Sequence, residues 1–307
     1  MPIAKISTAD MSREEWLEER RKTIGGSDAA AILGLNEWHS AYSIWAEKTG
    51  KLIPEDISDK ESVRLGNDLE QYVAERFAEA TGKKVRRENH IIYNSDYPFA
   101  HANPDRMIVG ENAGLECKTT TSYEIASQLA AGDIPKQWYC QCVHYMMVTG
   151  AKRWYLAALV FGRGFYWQEI VRDDAEIEAL AAAERDFFRL VESGEPPAID
   201  GSQSTAEAVD GIYTVSDPGV SADLTPVSVA VDMYLEATRQ IASYEQIKRE
   251  NETVIKDYMQ SAERGTVGDV KVSWKSLTRK TFDRAAYEAD HGEIPVAEDG
   301  KEAKADA

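Results

Sequence analysis

The chain has 307 residues, 43% hydrophobic and 29% charged, a balance that excludes wholesale disorder. Its 35 Lys and Arg against 53 Asp and Glu leave a net charge of -18. That excludes a broadly basic, histone-like binder of nucleic acid, while a local basic groove stays compatible with it.

Taken in chain order, Ser12 opens a first helix with Glu15 three residues on, a capping box. Ile24-Gly25-Gly26-Ser27-Asp28 reads as a loop entering a helix that begins near Ala29, and Ser40 caps another through Lys48, closed by Thr49-Gly50. Val63 to Ala80 is amphipathic and ends at Thr81-Gly82. Strands are expected at Val85, at Ile91-Ile92-Tyr93, over Arg106–Val109 and over Leu115–Lys118, the last two joined by the turn-like Gly110–Gly114. A helix over Pro135–Thr149 follows, then strands over Arg153–Val160 and Phe165–Val171 and a helix over Asp174–Ser193. This order predicts an α/β fold, a central mixed sheet flanked by helices. Four regions result: a core at 1–200, a Gly, Ser, Asp and Pro-rich linker at 201–225, a helical appendage with a short β-hairpin at 226–290, and an acidic, disordered tail at 291–307.

Cys117, Cys140 and Cys142 form no CxxC pair, and five scattered histidines complete no zinc motif, so the cysteines read as small hydrophobes. No Walker, Rossmann or Gly-x-Ser-x-Gly loop is present, which leaves ATP, NAD and serine-hydrolase chemistry without a foothold. No apolar run suits a membrane span or a secretory signal, and a cytoplasmic, non-membrane protein is expected.

The chemistry concentrates between His101 and Lys118. Pro104 pins the backbone just before Asp105, and Glu116 and Lys118, two apart on a strand, share one face of the sheet. If the two strands pair, Asp105 and Glu116 meet. Two adjacent carboxylates cannot both stay ionised cheaply unless a divalent cation lies between them, and oxygen-only ligation selects Mg²⁺, with Mn²⁺ able to substitute. Asp, Glu and Lys so placed suit metal-assisted hydrolysis of a phosphodiester. Elsewhere, Trp38, Tyr42 and Trp45 form an aromatic cluster that reads as core or as a base-stacking surface, and Lys83-Lys84-Val85-Arg86-Arg87 reads as a phosphate contact or a solvated turn.

Asn103-Pro104-Asp105 followed by Glu116-Cys117-Lys118 resembles the PD-(D/E)xK nuclease superfamily. Its lambda-exonuclease branch, the YqaJ-like viral recombinase family, is resembled more widely: Trp16 to Arg20 with Ile24 to Asp28, Gly66 to Glu70, and Gln141 match in order and spacing. Thr119-Thr120 depart from the Cys-Pro that can follow the lysine. The resemblance implies Asp105, Glu116 and the Cys117 carbonyl as metal ligands, Lys118 as the catalytic lysine, and Glu70 as a helix-borne carboxylate near the same metal, through water if not directly. It further implies Gln141 near the scissile phosphate, Arg20 and Ser27 as a pocket for a DNA 5′-phosphate, and Val63 as an apolar wedge. With these come a Mg²⁺-dependent 5′-to-3′ exonuclease on double-stranded DNA ends, a ring-shaped homotrimer, and a single-strand annealing protein as partner in phage-type recombination. An endonuclease on the same scaffold, or a non-catalytic DNA-end-binding scaffold, are the competing expectations.

Overall fold

The computed structural model describes residues 3–275; the acidic tail expected at 291–307, and the end of the expected appendage, lie outside them. The chain divides into two units, Met1–Asp217 and Pro218–Ala307.

The first unit is built on a five-stranded mixed sheet in the order β2-β5-β6-β7-β8. Its strands are β2 (Val85–Arg87), β5 (Arg106–Ile108), β6 (Ala113–Thr120), β7 (Arg153–Val160) and β8 (Gly164–Val171). Only β6 and β7 run parallel; the other pairs are antiparallel. Both faces are covered, as the apolar run of β7 requires. Trp154, Leu156, Ala158 and Val160 point to one side, into a core shared with helices α2 (Gly26–Ile32), α3 (Ala41–Lys48), α6 (Lys136–Thr149) and α7 (Asp174–Ser193). Tyr155 and Ala157 point to the other, against Val73, Ala74 and Phe77 of α4 (Glu61–Thr81). Alternation on β6 follows the same rule: Leu115 and Cys117 face α4, which leaves Glu116 and Lys118 for the α6 side.

The mixed sheet and the helices that sequence patterning predicts are present, beginning with α1 (Arg13–Arg21), whose capping box at Ser12 and Glu15 is complete. Four elements escape that patterning. Strand β1 (Ile3–Ser7) pairs with β3 (His90–Asn94), which pairs with the short β4 (His101–Ala102); α5 (Tyr123–Ala131) fills the connection after β6. The stretch expected as a linker holds α8 (Gln203–Ile212), a correction with a physical reason. This helix packs Ala208, Val209 and Ile212 against the core and is tied to α3 by hydroxyls: Ser40 N–H donates to Ser204 Oγ at 3.1 Å, and Thr205 Oγ1 donates to Ser40 Oγ at 2.8 Å. Helix α2 also starts earlier than Ala29, at Gly26, because Asp28 Oδ2 accepts the Gly25 N–H at 2.9 Å and fixes Gly25 as the cap.

The second unit contains α9 (Ser228–Met259) and the antiparallel hairpin of β9 (Arg264–Val267) and β10 (Val270–Ser273). Gly268, at φ 53°, provides the left-handed position its turn needs.

In β6 the only side chain that fits opposite Trp154 is none at all: a Cβ on Gly114 would lie 2.2 Å from Trp154 Cη2. Gly114→Ala is expected to destabilise the protein by about 1–3 kcal/mol through overpacking. Urea-denaturation midpoints of the two proteins measure it.

Candidate active site

Pairing of β5 with β6 sets Arg106 opposite Leu115, so the next step of the register brings Asp105 alongside Glu116. The backbone locks this juxtaposition, because the Cys117 N–H donates to Asp105 Oδ2 at 2.7 Å. On the α6 side, Glu116 Oε1 accepts from Lys118 Nζ at 2.7 Å and from Gln141 Nε2 at 2.8 Å. Lys118 Nζ also donates to Gln141 Oε1 at 2.8 Å, which closes a triangle of three side chains. The Gln141 amide is itself oriented by a 3.0 Å hydrogen bond to the Tyr145 hydroxyl.

The charges are strained. Glu116 is 3% exposed, and its Oε2 is buried with no hydrogen-bond partner. Burial first, then repulsion from Glu116 and Glu70, pushes the Asp105 carboxyl well above the ordinary carboxylate range. Burial alone would lower the Lys118 ammonium, but Glu116 and Asp105 outweigh it and hold the group more firmly protonated than a free lysine. The thiols of Cys117 and Cys142 are pushed well up, chiefly by burial, and stay inert.

Glu70 approaches from α4 by another route. Its carboxylate pairs with the buried Arg106 guanidinium, which also donates to Gln71 Oε1 at 3.0 Å and to the Asp105 carbonyl at 2.7 Å. Glu70, Arg87, Asp105 and Arg106 line one polar pocket of about 390 Å³. Among the described residues, no three His, Cys, Asp or Glu side chains already stand as a closed metal cage. Even so, the donors suit a hard cation. They are all oxygen, one carboxylate oxygen is buried without a partner, and mutual repulsion is the largest electrostatic influence on Asp105 after burial.

A second group lies beside the first. Arg20 Nη2 donates to Ser27 Oγ at 2.9 Å, and the guanidinium stacks 4.5 Å from the Trp16 ring centroid. Lys48 braces this corner from below, with Nζ 2.7 Å from Asp28 Oδ2 and donating to the carbonyls of Arg20 and Thr23 at 2.9 and 2.8 Å. The Gly25 N–H at the start of α2 is not open to a phosphate, since Asp28 has taken it. The two groups meet at Gly26: a Cβ there would lie 2.6 Å from Tyr145 Cε1 and 3.2 Å from Gln141 Cγ, so only glycine lets α2 reach α6 this closely.

Val63 lies half-exposed in the first turn of α4, outside the contacts that join these residues. The expected aromatic cluster splits: Tyr42 and Trp45 pack in the core with ring centroids 5.4 Å apart, whereas Trp38 is 78% exposed. The basic run is also divided, with Lys83 on Glu111, Arg86 on Glu88, and Arg87 in the pocket of Asp105. Arg106, Asp28, Lys48 and Tyr145 were not singled out by sequence reasoning. For Arg106, Asp28 and Lys48 the signal is a buried cation beside an acid, visible only once burial is known.

The chain resembles known proteins over most of its length. The family model of the YqaJ-like viral recombinase domain matches residues 15–152, a span that holds Arg20, Ser27, Val63, Glu70, Asp105, Glu116, Lys118 and Gln141. The uncharacterized protein YqaJ of Bacillus subtilis (strain 168) is 40% identical over 285 residues, 92% of this chain and 88% of that protein. Among solved structures, the alkaline exonuclease LHK-Exo of Laribacter hongkongensis in complex with dAMP aligns at TM-score 0.51 and 19% identity, over 59% of this chain and 94% of that one. A further structure of LHK-Exo aligns at TM-score 0.49 and 18% identity over the same shares.

For Asp28, burial would raise the carboxyl pKa, but the Lys48 ammonium, Arg20 and the hydrogen bonds from Lys48 and Gly25 bring it well below the ordinary value of 3.8. A lowered folded-state pKa gives stability that is present above the unfolded-state value and is lost as the pH falls through the folded one. Asp28→Asn is therefore expected to cost about 3 kcal/mol at pH 7 by leaving Lys48 buried and unpaired. The gap to the wild type narrows as the pH drops below about 4. Denaturant midpoints at neutral and acid pH check both statements.

Proposed function

The chain belongs to the YqaJ-like viral recombinase domain family, and from that premise we propose that it is a Mg²⁺-dependent exonuclease that degrades one strand of duplex DNA, 5′ to 3′, from a 5′-phosphorylated end. The observation that carries this reading is the contact at Gly26 and Gln141, where the Arg20–Ser27 corner abuts the cluster of Asp105, Glu116 and Lys118. An internal cleavage site would need no such neighbour, whereas an end-directed enzyme needs a place for the terminal phosphate next to the cutting site.

Arg20 offers a planar fork of donors and Ser27 a hydroxyl, the chemistry that grips a phosphate monoester. A 5′-phosphate held there leaves the following phosphodiester on the side of Gln141 and Lys118. Asp105 and Glu116 would hold Mg²⁺, with the Cys117 carbonyl and Glu70 beside them, and the ion would supply Lewis acidity toward the phosphate and a lowered pKa for an attacking water. Lys118, kept cationic by its carboxylate neighbours, steadies negative charge growing on the phosphate oxygens. Gln141 orients both Glu116 and Lys118, and Arg106 keeps Glu70 from being repelled out of the site.

The remaining strand, a 3′ overhang, is the substrate a single-strand annealing protein would take up in phage-type recombination. A homo-oligomeric ring reconciles the net charge of -18 with DNA binding, because acidic outer faces would repel side-on DNA and leave a central channel as the productive route. A monomeric mass by sedimentation would remove this last element.

Strand-labelled linear duplex with either a 5′-phosphate or a 5′-hydroxyl, incubated with Mg²⁺, tests the reading. Nucleotide release from the 5′-phosphorylated strand is expected, none in EDTA, and none from covalently closed circles. Lys118→Ala should lower the rate by roughly 10²- to 10³-fold while end binding persists. Arg20→Ala should chiefly abolish the preference for phosphate over hydroxyl. Cutting of closed circles, or equal digestion of both ends by the wild type, contradicts the proposal.

A further inference from the structure

The basic run Lys83-Lys84-Val85-Arg86-Arg87 leaves one cation beside the carboxylate cluster with no acid of its own. Strand β2 sends Arg86 and Arg87 to opposite faces. Arg86 Nη1 meets Glu88 Oε2 at 2.8 Å, and that fully buried carboxylate also takes Lys5 Nζ at 3.0 Å and His90 Nδ1 at 2.7 Å. Arg87 stands opposite Arg106 in the pairing of β2 with β5, on the face where Val85 and Ile108 join Val73 and Phe77 of α4. Glu70 lines a pocket with both arginines, but the buried Arg106 has claimed it. Among the described residues, the exposed Arg87 side chain has no ion pair and no hydrogen bond. Like charges set directly opposite on a sheet are destabilising, so this arginine is a cation kept at a cost and open to an anion from outside.

Asn67 and Asn89 line the same pocket of about 390 Å³, beside Glu70, Arg87 and Asp105. Asn67 and Glu70, three residues apart on α4, share one face of that helix. The start of α4 lies close to the end of β6, since a Cβ on Gly66 would come within 3.8 Å of Thr119 Oγ1, next to Lys118. The cluster of Asp105, Glu116 and Lys118 therefore has two flanks. On the α6 side, Gln141 and Gly26 lead to the corner of Arg20 and Ser27. On the α4 side, Asp105 leads into the pocket of Glu70 and Arg87. A strand with its 5′-phosphate on Arg20 and its first phosphodiester over the carboxylates comes to Arg87 with its next phosphate. Lys118 and Arg106 cannot serve there, because each is held by a carboxylate.

We infer that Arg87 binds the phosphodiester that follows the scissile one in the degraded strand, with the Asn67 and Asn89 amides as neutral donors beside it. The inference rests on the proposed end-directed reading and adds the path of the strand beyond the cut. A guanidinium fork suits the two non-bridging oxygens of a phosphodiester. Gripping the strand on both sides of the scissile bond fixes that bond over the carboxylates. Arg87 touches the substrate without touching the reacting bond, so it governs how the strand is seated and not the chemical step. A contact to backbone phosphate reads no base, and every sequence is treated alike at this position.

The test is single-turnover release of the first nucleotide by the full-length protein in Mg²⁺. The substrates are 5′-phosphorylated duplexes closed by a hairpin at the far end, with one neutral methylphosphonate at the second or the fourth linkage of the degraded strand. The protein concentration at half-maximal rate and the maximal rate are read separately. For the wild type, a neutral second linkage should raise the half-saturating concentration about 10-fold, the loss of one charge-assisted hydrogen bond, with the maximal rate nearly unchanged. The fourth linkage should matter less. Arg87→Ala should show the raised value on all-phosphate DNA and be indifferent to the second linkage, while Arg87→Lys keeps part of the discrimination. A merely structural role would weaken every duplex and leave the discrimination intact. That outcome, a wild type unaffected by the neutral second linkage, or an Arg87→Ala variant equal to the wild type on all-phosphate DNA would overturn the contact. Unmodified ends separate the two claims. If the wild type cuts with a preference for 5′-phosphate over 5′-hydroxyl and the second linkage has no effect, only the Arg87 contact falls; if it does not cut, the end-directed reading falls and the contact with it.

Discussion

Crowding of carboxylates in a buried place is the constraint on which the rest of this structure depends. Asp105, Glu116 and Glu70 come from a hairpin and from helix α4, and burial together with their mutual repulsion makes their joint ionisation unfavourable. Three devices offset it. Lys118 neutralises Glu116 directly, Arg106 neutralises Glu70, and the Cys117 N–H donates to Asp105. Even so, one oxygen of Glu116 remains buried without a partner. A fold that only needed stability could replace such a cluster with apolar side chains at little loss. Its retention in the middle of a well-packed sheet is the physical argument that it serves chemistry.

The remainder of the first unit holds that cluster rigid. The apolar face of β7 packs on α6, which fixes Gln141 and Tyr145; α2 packs on α6 through Gly26, which fixes Ser27; and Lys48 ties α3 to the carbonyl of Arg20 at the end of α1. Four separate helices therefore converge on one end of the sheet, each bringing one functional side chain or its brace. A further buried contact, His144 Nδ1 with Glu184 Oε1 at 2.7 Å, links α6 to α7, and His144 Nε2 bonds the His101 carbonyl on β4 at 2.8 Å. It stiffens the same helix from behind.

Much of this was legible in the sequence where hydrophobic patterning and turn chemistry agree. The run Arg153–Val160 could only be a doubly buried strand, Gly110 and Gly114 marked the hairpin, and Ser12, Ser40 and Gly82 marked helix ends. The spacing of Asp105, Glu116 and Lys118 likewise foretold that they share one place. What stayed hidden has identifiable causes. Helix α8 is short and flanked by Gly, Ser, Asp and Pro that read as a linker, although Ala208, Val209 and Ile212 pack on the core; β1 is a wholly exposed edge strand; and Asp28, by capping Gly25, moved the start of α2 ahead of its alanines. Arg106 and Lys48 looked like two surface cations among 35, and only their burial against Glu70 and Asp28 reveals their work. The aromatic cluster misled in the opposite sense, because adjacency in sequence joined Trp38 to two rings with which it shares no core.

The central claim is that these carboxylates are gathered to hold a hard divalent ion. Anomalous diffraction from crystals soaked in Mn²⁺ addresses it most directly. The account predicts a peak in contact with the Asp105 and Glu116 carboxylates, lost in Asp105→Asn. A Mn²⁺-soaked crystal with no peak there, or with one equally strong in the variant, would contradict it.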